Sequence, residues 1–139
     1  MVDHRKLIVY CDGASRGNPG PAGAGVVIQD DKGRTIKRLY KFLGHTTNNQ
    51  AEYAALIIGI EEAQKLAARN VEFRLDSELV VFQLTGQYKV RNAGLQPFYQ
   101  QATELLQGFT SYSITHVSRT LNRGADELAN KAIDGHSLL

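Results

Sequence analysis

Lys6-Leu7-Ile8-Val9-Tyr10-Cys11-Asp12 decides how the rest of the chain is read. The run is nearly all apolar up to a terminal carboxylate. That pattern predicts a central strand buried on both faces, with Asp12 at its end. Gly13 to Gly25 follows with five glycines and two prolines, which reads as a loop feeding the next strand. Ala24 to Gln29 and Thr35 to Phe42 flank Asp30-Asp31-Lys32-Gly33, a turn signal, and together they predict a hairpin.

Further along, Thr47-Asn48-Asn49-Gln50 offers a capping box, with Thr47 as the cap of a helix over 48–69. Val71-Glu72-Phe73-Arg74-Leu75-Asp76 alternates strictly and predicts a strand with one covered face. A short helix over 77–84, a loop, a helix over 96–107 and a strand over 112–117 come next. Gly124 then breaks the chain before a closing helix over 125–133. The order β-β-β-α-β-α-α-β-α predicts an α/β fold with a five-stranded mixed sheet. Three strands form an antiparallel meander, two return in parallel, and helices cover both faces.

Composition sets bounds without giving a function. The chain has 139 residues, 42% of them hydrophobic and 22% charged, which suits a single domain over 1–139. Cys11 is the only cysteine, so an intramolecular disulfide or a multi-cysteine zinc site is excluded. The charged start Met1-Val2-Asp3-His4-Arg5-Lys6 has no signal-peptide apolar core behind it. Ala54-Ala55-Leu56-Ile57-Ile58-Gly59-Ile60 is far shorter than the ~20 residues a membrane helix needs. A cytoplasmic protein, away from membranes, is expected. A net charge of +2 falls short of the strong basic excess common among nucleic-acid binders.

The chemistry rests on carboxylates. Asp12 and Asp76 end strands that, if parallel neighbours, bring both acids to the same rim of the sheet, where ligands bind in open α/β folds. Either alone could simply start a turn or cap a helix. Glu52 shares a helical stripe with Ala55, Leu56, Gly59, Ala63 and Leu66, the apolar face that turns toward the sheet. A first-turn glutamate is otherwise common because the helix dipole favours it. Asp126 and Glu127 both open the closing helix, and spacing does not decide which turns inward. Gathered together, such acids repel one another unless protonated or bound to a cation. Oxygen ligands without cysteine or histidine at metal spacing point to Mg²⁺ or Mn²⁺. A pair of these ions suits in-line displacement at phosphorus, the hydrolysis of a phosphodiester.

Four segments then resemble a known family. Tyr10-Cys11-Asp12-Gly13-Ala14-Ser15-Arg16-Gly17-Asn18-Pro19-Gly20 is similar to the opening motif of type 1 ribonucleases H. Thr46-Thr47-Asn48-Asn49-Gln50-Ala51-Glu52 resembles their second motif, Asp76-Ser77 the third and Ala125-Asp126-Glu127-Leu128-Ala129 the fourth. The resemblance runs in order over essentially the whole chain. It implies a ribonuclease H-like fold, with Asp12, Glu52, Asp76 and Asp126 as metal-binding catalytic acids. It further implies cleavage of the RNA strand of an RNA–DNA hybrid by two-metal-ion catalysis, leaving 5′-phosphate and 3′-hydroxyl ends. Asn18, Asn48 and Asn49 would meet the hybrid in its minor groove, Gly13 and Ser15 would lie near the RNA, and Thr47 would meet a DNA phosphate. Amides and backbone groups suit 2′-hydroxyls, which donate and accept; the same residues also read as caps and a turn. A monomer is expected.

Two departures from the family pattern stand out. Many relatives carry a histidine in a flexible loop before the last acid, but Ser118-Arg119-Thr120-Leu121-Asn122-Arg123 has none. Arg119 is an auxiliary candidate there. Its guanidinium binds phosphate but cannot shuttle a proton near neutral pH; an ordinary solvated charge is the alternative. His116 falls inside a predicted strand and reads as structural. Some relatives also insert a Lys- and Trp-rich grip on the hybrid. Between Gln83 and Pro97 this chain has only Lys89 and Arg91, and it contains no tryptophan. Weaker binding with a shallow salt dependence is expected. Two other readings stand beside the hybrid nuclease: a catalytically silent nucleic-acid-binding module on the same fold, and a two-metal nuclease acting on DNA.

Overall fold

The structure is a computed structural model that describes residues 6–137. The charged start Met1 to Arg5 and the final Leu138-Leu139 lie outside the described residues. Three strands, β1 (Lys6–Ser15), β2 (Gly20–Asp30) and β3 (Thr35–Thr46), form an antiparallel meander. Then come α1 (Asn48–Lys65), β4 (Asn70–Leu75), α2 (Glu78–Leu84), α3 (Gln96–Leu106) and β5 (Ser111–His116). A 3₁₀ turn at Arg119–Asn122 leads into α4 (Arg123–Ser137). The sheet order is β3-β2-β1-β4-β5, with β4 parallel to β1 and β5 parallel to β4. The predicted element order and mixed sheet are both observed. Among the described residues no helix is long and apolar enough to cross a membrane.

Helix α1 packs on one face of the sheet, backed by α2 and α3, and α4 packs on the other. Leu7, Val9 and Cys11 point from β1 toward α1 and are fully buried beside Leu56, Ile60 and Phe73. Ile8 and Tyr10, on the other face, are only half-buried. Helix α4 covers β1 to β3 and leaves the β4 side of that face open. The expectation of a strand covered on both faces therefore holds for one face.

The glycine-rich segment is mostly strand, not loop. β1 continues past Asp12 to Ser15, and β2 begins at Gly20, with Gly13 opposite Ala24 and Ala14 opposite Gly23. Asp12 consequently sits within its strand. The small residues serve the helices that lie on them. A Cβ on Gly13 would lie 2.1 Å from the Ala51 carbonyl oxygen of α1, and one on Gly25 would lie 2.1 Å from the Ala125 oxygen of α4. Backbone meets backbone at both places, so composition that reads as flexible is here a requirement of close packing.

Helix ends also differ from the prediction. Thr47 caps α1 as expected, its Oγ1 accepting from Gln50 N at 3.2 Å while Gln50 Oε1 accepts from Thr47 N at 3.2 Å. The far end comes at Lys65, four residues before the predicted Arg69. Ala67 adopts φ 59°, its N–H donates to Gln64 O at 3.0 Å, and the N–H of Ala68 donates to Ala63 O at 3.2 Å. That is the Schellman pattern, with alanine where glycine is usual. At α4, Gly124 lies inside the first turn, where amide hydrogens need no intrahelical partner, so it does not break the helix. The helix runs to Ser137, four residues past the predicted end at Ile133. The ring of His136 stacks on Phe42 with centroids 3.6 Å apart.

Two stability outcomes follow. Ala67→Gly removes the side chain from a left-handed position and should raise stability by about 0.5–1 kcal/mol, read as a higher urea midpoint at unchanged slope. Gly25→Ala, which must push the backbone of α4 away, should cost about 3 kcal/mol by the same measurement.

Candidate active site

The site begins where β1 outruns β4. Their parallel register ends at the pair Cys11 and Leu75, so Asp12, still on β1, and Asp76, the first residue beyond β4, come next side by side. Ser77 then caps α2, its Oγ accepting from Val80 N at 3.3 Å, which turns the chain away from the rim. Helix α1 delivers Glu52 from its inward face, only 4% exposed, and the Gly13 N–H donates to Glu52 Oε1 at 3.2 Å. Carboxylate oxygens of Asp12, Glu52 and Asp76 lie within 4.8 Å of one another. Asp126, half-buried near the start of α4, has its carboxyl within hydrogen-bond reach of Asp12, whereas Glu127 points to solvent. All four acids line one open cleft of about 530 Å³.

Electrostatics in this cleft are unfavourable for the ionised side chains alone. Burial first, then the charges of Glu52 and Asp76, raise the pKa of Asp12 well above the carboxylate range. Burial and the charge of Asp76 raise Glu52 as well. Hydrogen bonds from Asp12 and the Gly13 amide, and the positive charge of Arg119, act against that rise. A shared proton, with Asp12 as donor and Glu52 as acceptor, satisfies these directions. Burial likewise pushes the Cys11 thiol up, so the lone cysteine beneath the site stays neutral.

A cation fits this donor set. Glu52 Oε2 is buried without a hydrogen-bond partner, and such an acceptor is costly unless something positive meets it. Asp12, Glu52 and Asp76 could hold a metal ion through oxygen ligands alone, a hard-cation set.

The residues expected to touch substrate surround this cluster unevenly. Gly13, Ser15 and Asn48 line the cleft, while Asn18 and Asn49 are exposed near the start of α1. Asn18 Oδ1 accepts from the Asn48 N–H at 3.1 Å, which ties the loop after β1 to the helix. The Ser15 hydroxyl reaches Thr46 O at 2.8 Å, and Thr47 Oγ1 is already engaged as a cap. Arg119 lines the cleft from the 3₁₀ turn. Asn122 pins that turn, its Nδ2 donating to Cys11 O at 2.9 Å beside Asp12.

Sequence reading missed Asn122, Asn130, Arg16 and the cleft position of His116. His116 ends β5 at the cleft wall with its ring 6.4 Å from that of Phe82, so it is exposed as well as structural. Only Asn130 left a trace, four residues after Asp126 on the same helical face. Lys89 and Arg91 are solvent-exposed.

Comparison with known proteins agrees with this arrangement. Residues 10–132 match the family model described as "Reverse transcriptase-like". A protein of Halobacterium salinarum named ribonuclease HI is 47% identical over 129 residues, covering 93% of this chain and 65% of that relative. The chain spans only 36% of the mycobacterial relatives it also matches. The crystal structure of RNase H1 from the same halophilic archaeon superposes with a TM-score of 0.92 at 45% identity, covering 94% of this chain and 98% of that one. LC11-RNase H1, solved in complex with an RNA/DNA hybrid, gives 0.90 at 42% identity with coverages of 94% and 98%. With a sheet order, a carboxylate cleft and matches of this extent, the chain belongs to the type 1 ribonuclease H family.

Proposed function

We propose that this chain is an endonuclease that hydrolyses the RNA strand of RNA–DNA hybrids, leaving 5′-phosphate and 3′-hydroxyl ends. Residues 1–139 would act as one domain, a monomer working in the cytoplasm with Mg²⁺, for which Mn²⁺ can substitute. The observation that carries the reading is the gathering of carboxylates around a buried, unpartnered Glu52 oxygen. The complex of LC11-RNase H1 with a hybrid supports the substrate class.

Asp12, Glu52, Asp76 and Asp126 would hold the divalent ions. Bound there, such ions supply Lewis-acid activation of the attacking water and neutralise charge on the phosphate. The protein contributes the geometry. The Gly13 amide fixes one Glu52 oxygen and leaves the other free to ligate. Arg119 faces the same cleft and offers a permanent positive charge to the scissile phosphate or to the departing 5′-phosphate. Gly13, Ser15, Asn18, Asn48 and Asn49 would face the minor groove. There the Ser15 oxygen, its one proton spent on backbone carbonyls, serves as an acceptor for a 2′-hydroxyl. Thr47 would lie near a DNA phosphate. Lys89 and Arg91 offer two exposed charges for the rest of the hybrid, in line with a shallow salt dependence.

Cleavage of an end-labelled hybrid in Mg²⁺, beside an all-DNA duplex and a chelator control, tests this directly. The hybrid should be cut only with the metal, and the DNA duplex not at all. Asp12→Asn should lower cleavage by more than about 100-fold, beyond what loss of a ligand-orienting partner costs. Hybrid binding without cleavage by the wild type would instead mark a silent module.

Stability against pH gives an independent outcome. Asp12 and Glu52 have raised pKa values in the folded protein, so the native state holds protons that the unfolded chain releases above about pH 4. Stability of the metal-free protein should therefore fall as pH rises from there through neutrality. In thermal melts with chelator, Asp12→Asn should be the more stable form at pH 8, with the gap closing toward pH 4. Added Mn²⁺ should raise the wild-type melting temperature far more than that of the variant.

A further inference from the structure

The fourth acid differs from the other three in how it is held. Asp12 sits on β1, Asp76 directly follows β4 and Glu52 is buried, but Asp126 is half-exposed on the first turn of a helix. What restrains its carboxylate is Asn130, one turn along α4. Asn130 Nδ2 donates to Asp126 O at 3.0 Å and lies 3.4 Å from Asp126 Oδ1. The amide has only one orientation that satisfies its surroundings. Arg16 Nη2 donates to Asn130 Oδ1 at 3.2 Å, and a guanidinium has nothing to accept with, so the amide oxygen must face Arg16. Its NH₂ is thereby aimed at Asp126. Arg16 itself is aligned by Asp134, at 2.5 Å, one further turn along the helix. Both members of that ion pair are well exposed, with side chains 45% and 62% accessible, so it adds little to stability. Its effect is directional.

Arg16 also opens the loop over 16–19 between β1 and β2, which carries Asn18. Asn18 ties that loop to the start of α1 through the Asn48 N–H. The loop is thus held between α1 and α4, the helices that carry Glu52 and Asp126. Arg16 and Asn130 both line the cleft that holds the four acids.

We propose that Asn130 is a positioning residue for Asp126 and that Arg16 sets its orientation, so that the loop over 16–19 and the fourth carboxylate share one geometry. The inference rests on the nuclease reading, because it treats Asp126 as a metal ligand. It assigns to Asn130 the outer contact that fixes a ligating carboxylate, and to Arg16 a role through Asn130 rather than on the metal.

Calorimetric titration of the substrate-free protein with Mn²⁺, paired with the Mn²⁺ dependence of single-turnover hybrid cleavage, tests it. Asn130→Ala should weaken Mn²⁺ binding and raise the concentration for half-maximal cleavage together, each by about 10-fold, the lower end for losing an outer-shell partner. The rate at saturating Mn²⁺ should be largely kept, and the melting temperature without metal should hardly move, a split that simple unfolding would not give. Arg16→Met should shift both readouts the same way by a smaller factor. The double variant should match Asn130→Ala alone, since Arg16 acts through the amide. Mn²⁺ titration of Asn130→Ala indistinguishable from wild type would overturn the proposal, as would effects of the two substitutions that simply multiply. A wild type that neither takes up Mn²⁺ nor cuts hybrid would overturn the nuclease reading itself.

Discussion

Mutual repulsion among carboxylates pressed into a half-dry cleft is the constraint around which this molecule is arranged. Asp12, Glu52 and Asp76 bring oxygens within 4.8 Å of one another, and burial disfavours the ionised forms of Asp12 and Glu52 there. A flexible surface would relieve such crowding by letting the side chains swing apart. This fold prevents that by bringing backbone against backbone. Helix α1 rests on Gly13 and helix α4 on Gly25, each so close that a single methyl group would collide with a carbonyl oxygen. Glu52 and Asp126 are thereby set around a strand that cannot recede, because β1 is paired on both sides up to Cys11. The strain is electrostatic, and a cation resolves it.

The polar side chains around the cluster are engaged in holding the fold. The hydroxyl of Thr47 closes a capping box, Ser15 bridges to the backbone of β3, and Asn18 holds the N-terminus of α1. Asn122 completes β1 at the Cys11 carbonyl just where β4 ends, so a side chain stands in for the missing strand. Groups engaged in this way keep fixed lone pairs and protons, and what they offer a ligand is prearranged. That rigidity suits recognition of a shape rather than a base sequence, since the 2′-hydroxyl and phosphate positions of a hybrid are the same whatever its sequence.

Positive charge also stands at the cleft wall. Arg119 opens the 3₁₀ turn and lines the cleft. It also opposes the rise in the pKa of Glu52, so it favours the ionised form that a metal requires. Lys89 and Arg91 are exposed charges in an otherwise uncharged loop.

Element order, the mixed sheet and the inward stripe of α1 could all be read from the chain, because periodicity and caps are local and each segment carries its own. The motifs around Asp12, Glu52, Asp76 and Asp126 were legible for the same reason: residue type and spacing are written in the order of the sequence. Boundaries governed by distant contacts were not. Gly13 to Gly25 looked like loop because nothing nearby announces the helices that need those glycines; α1 ended early at an alanine in a glycine's conformation; and Gly124 looked like a break when it lay in a first turn. Choosing Asp126 over Glu127, and finding Arg16 against Asn130 across 114 positions, depended on how α4 sits on the sheet. The linear sequence thus named the acids, and tertiary packing decided their separation and which side chains surround them, because those depend on distances that only the folded chain sets.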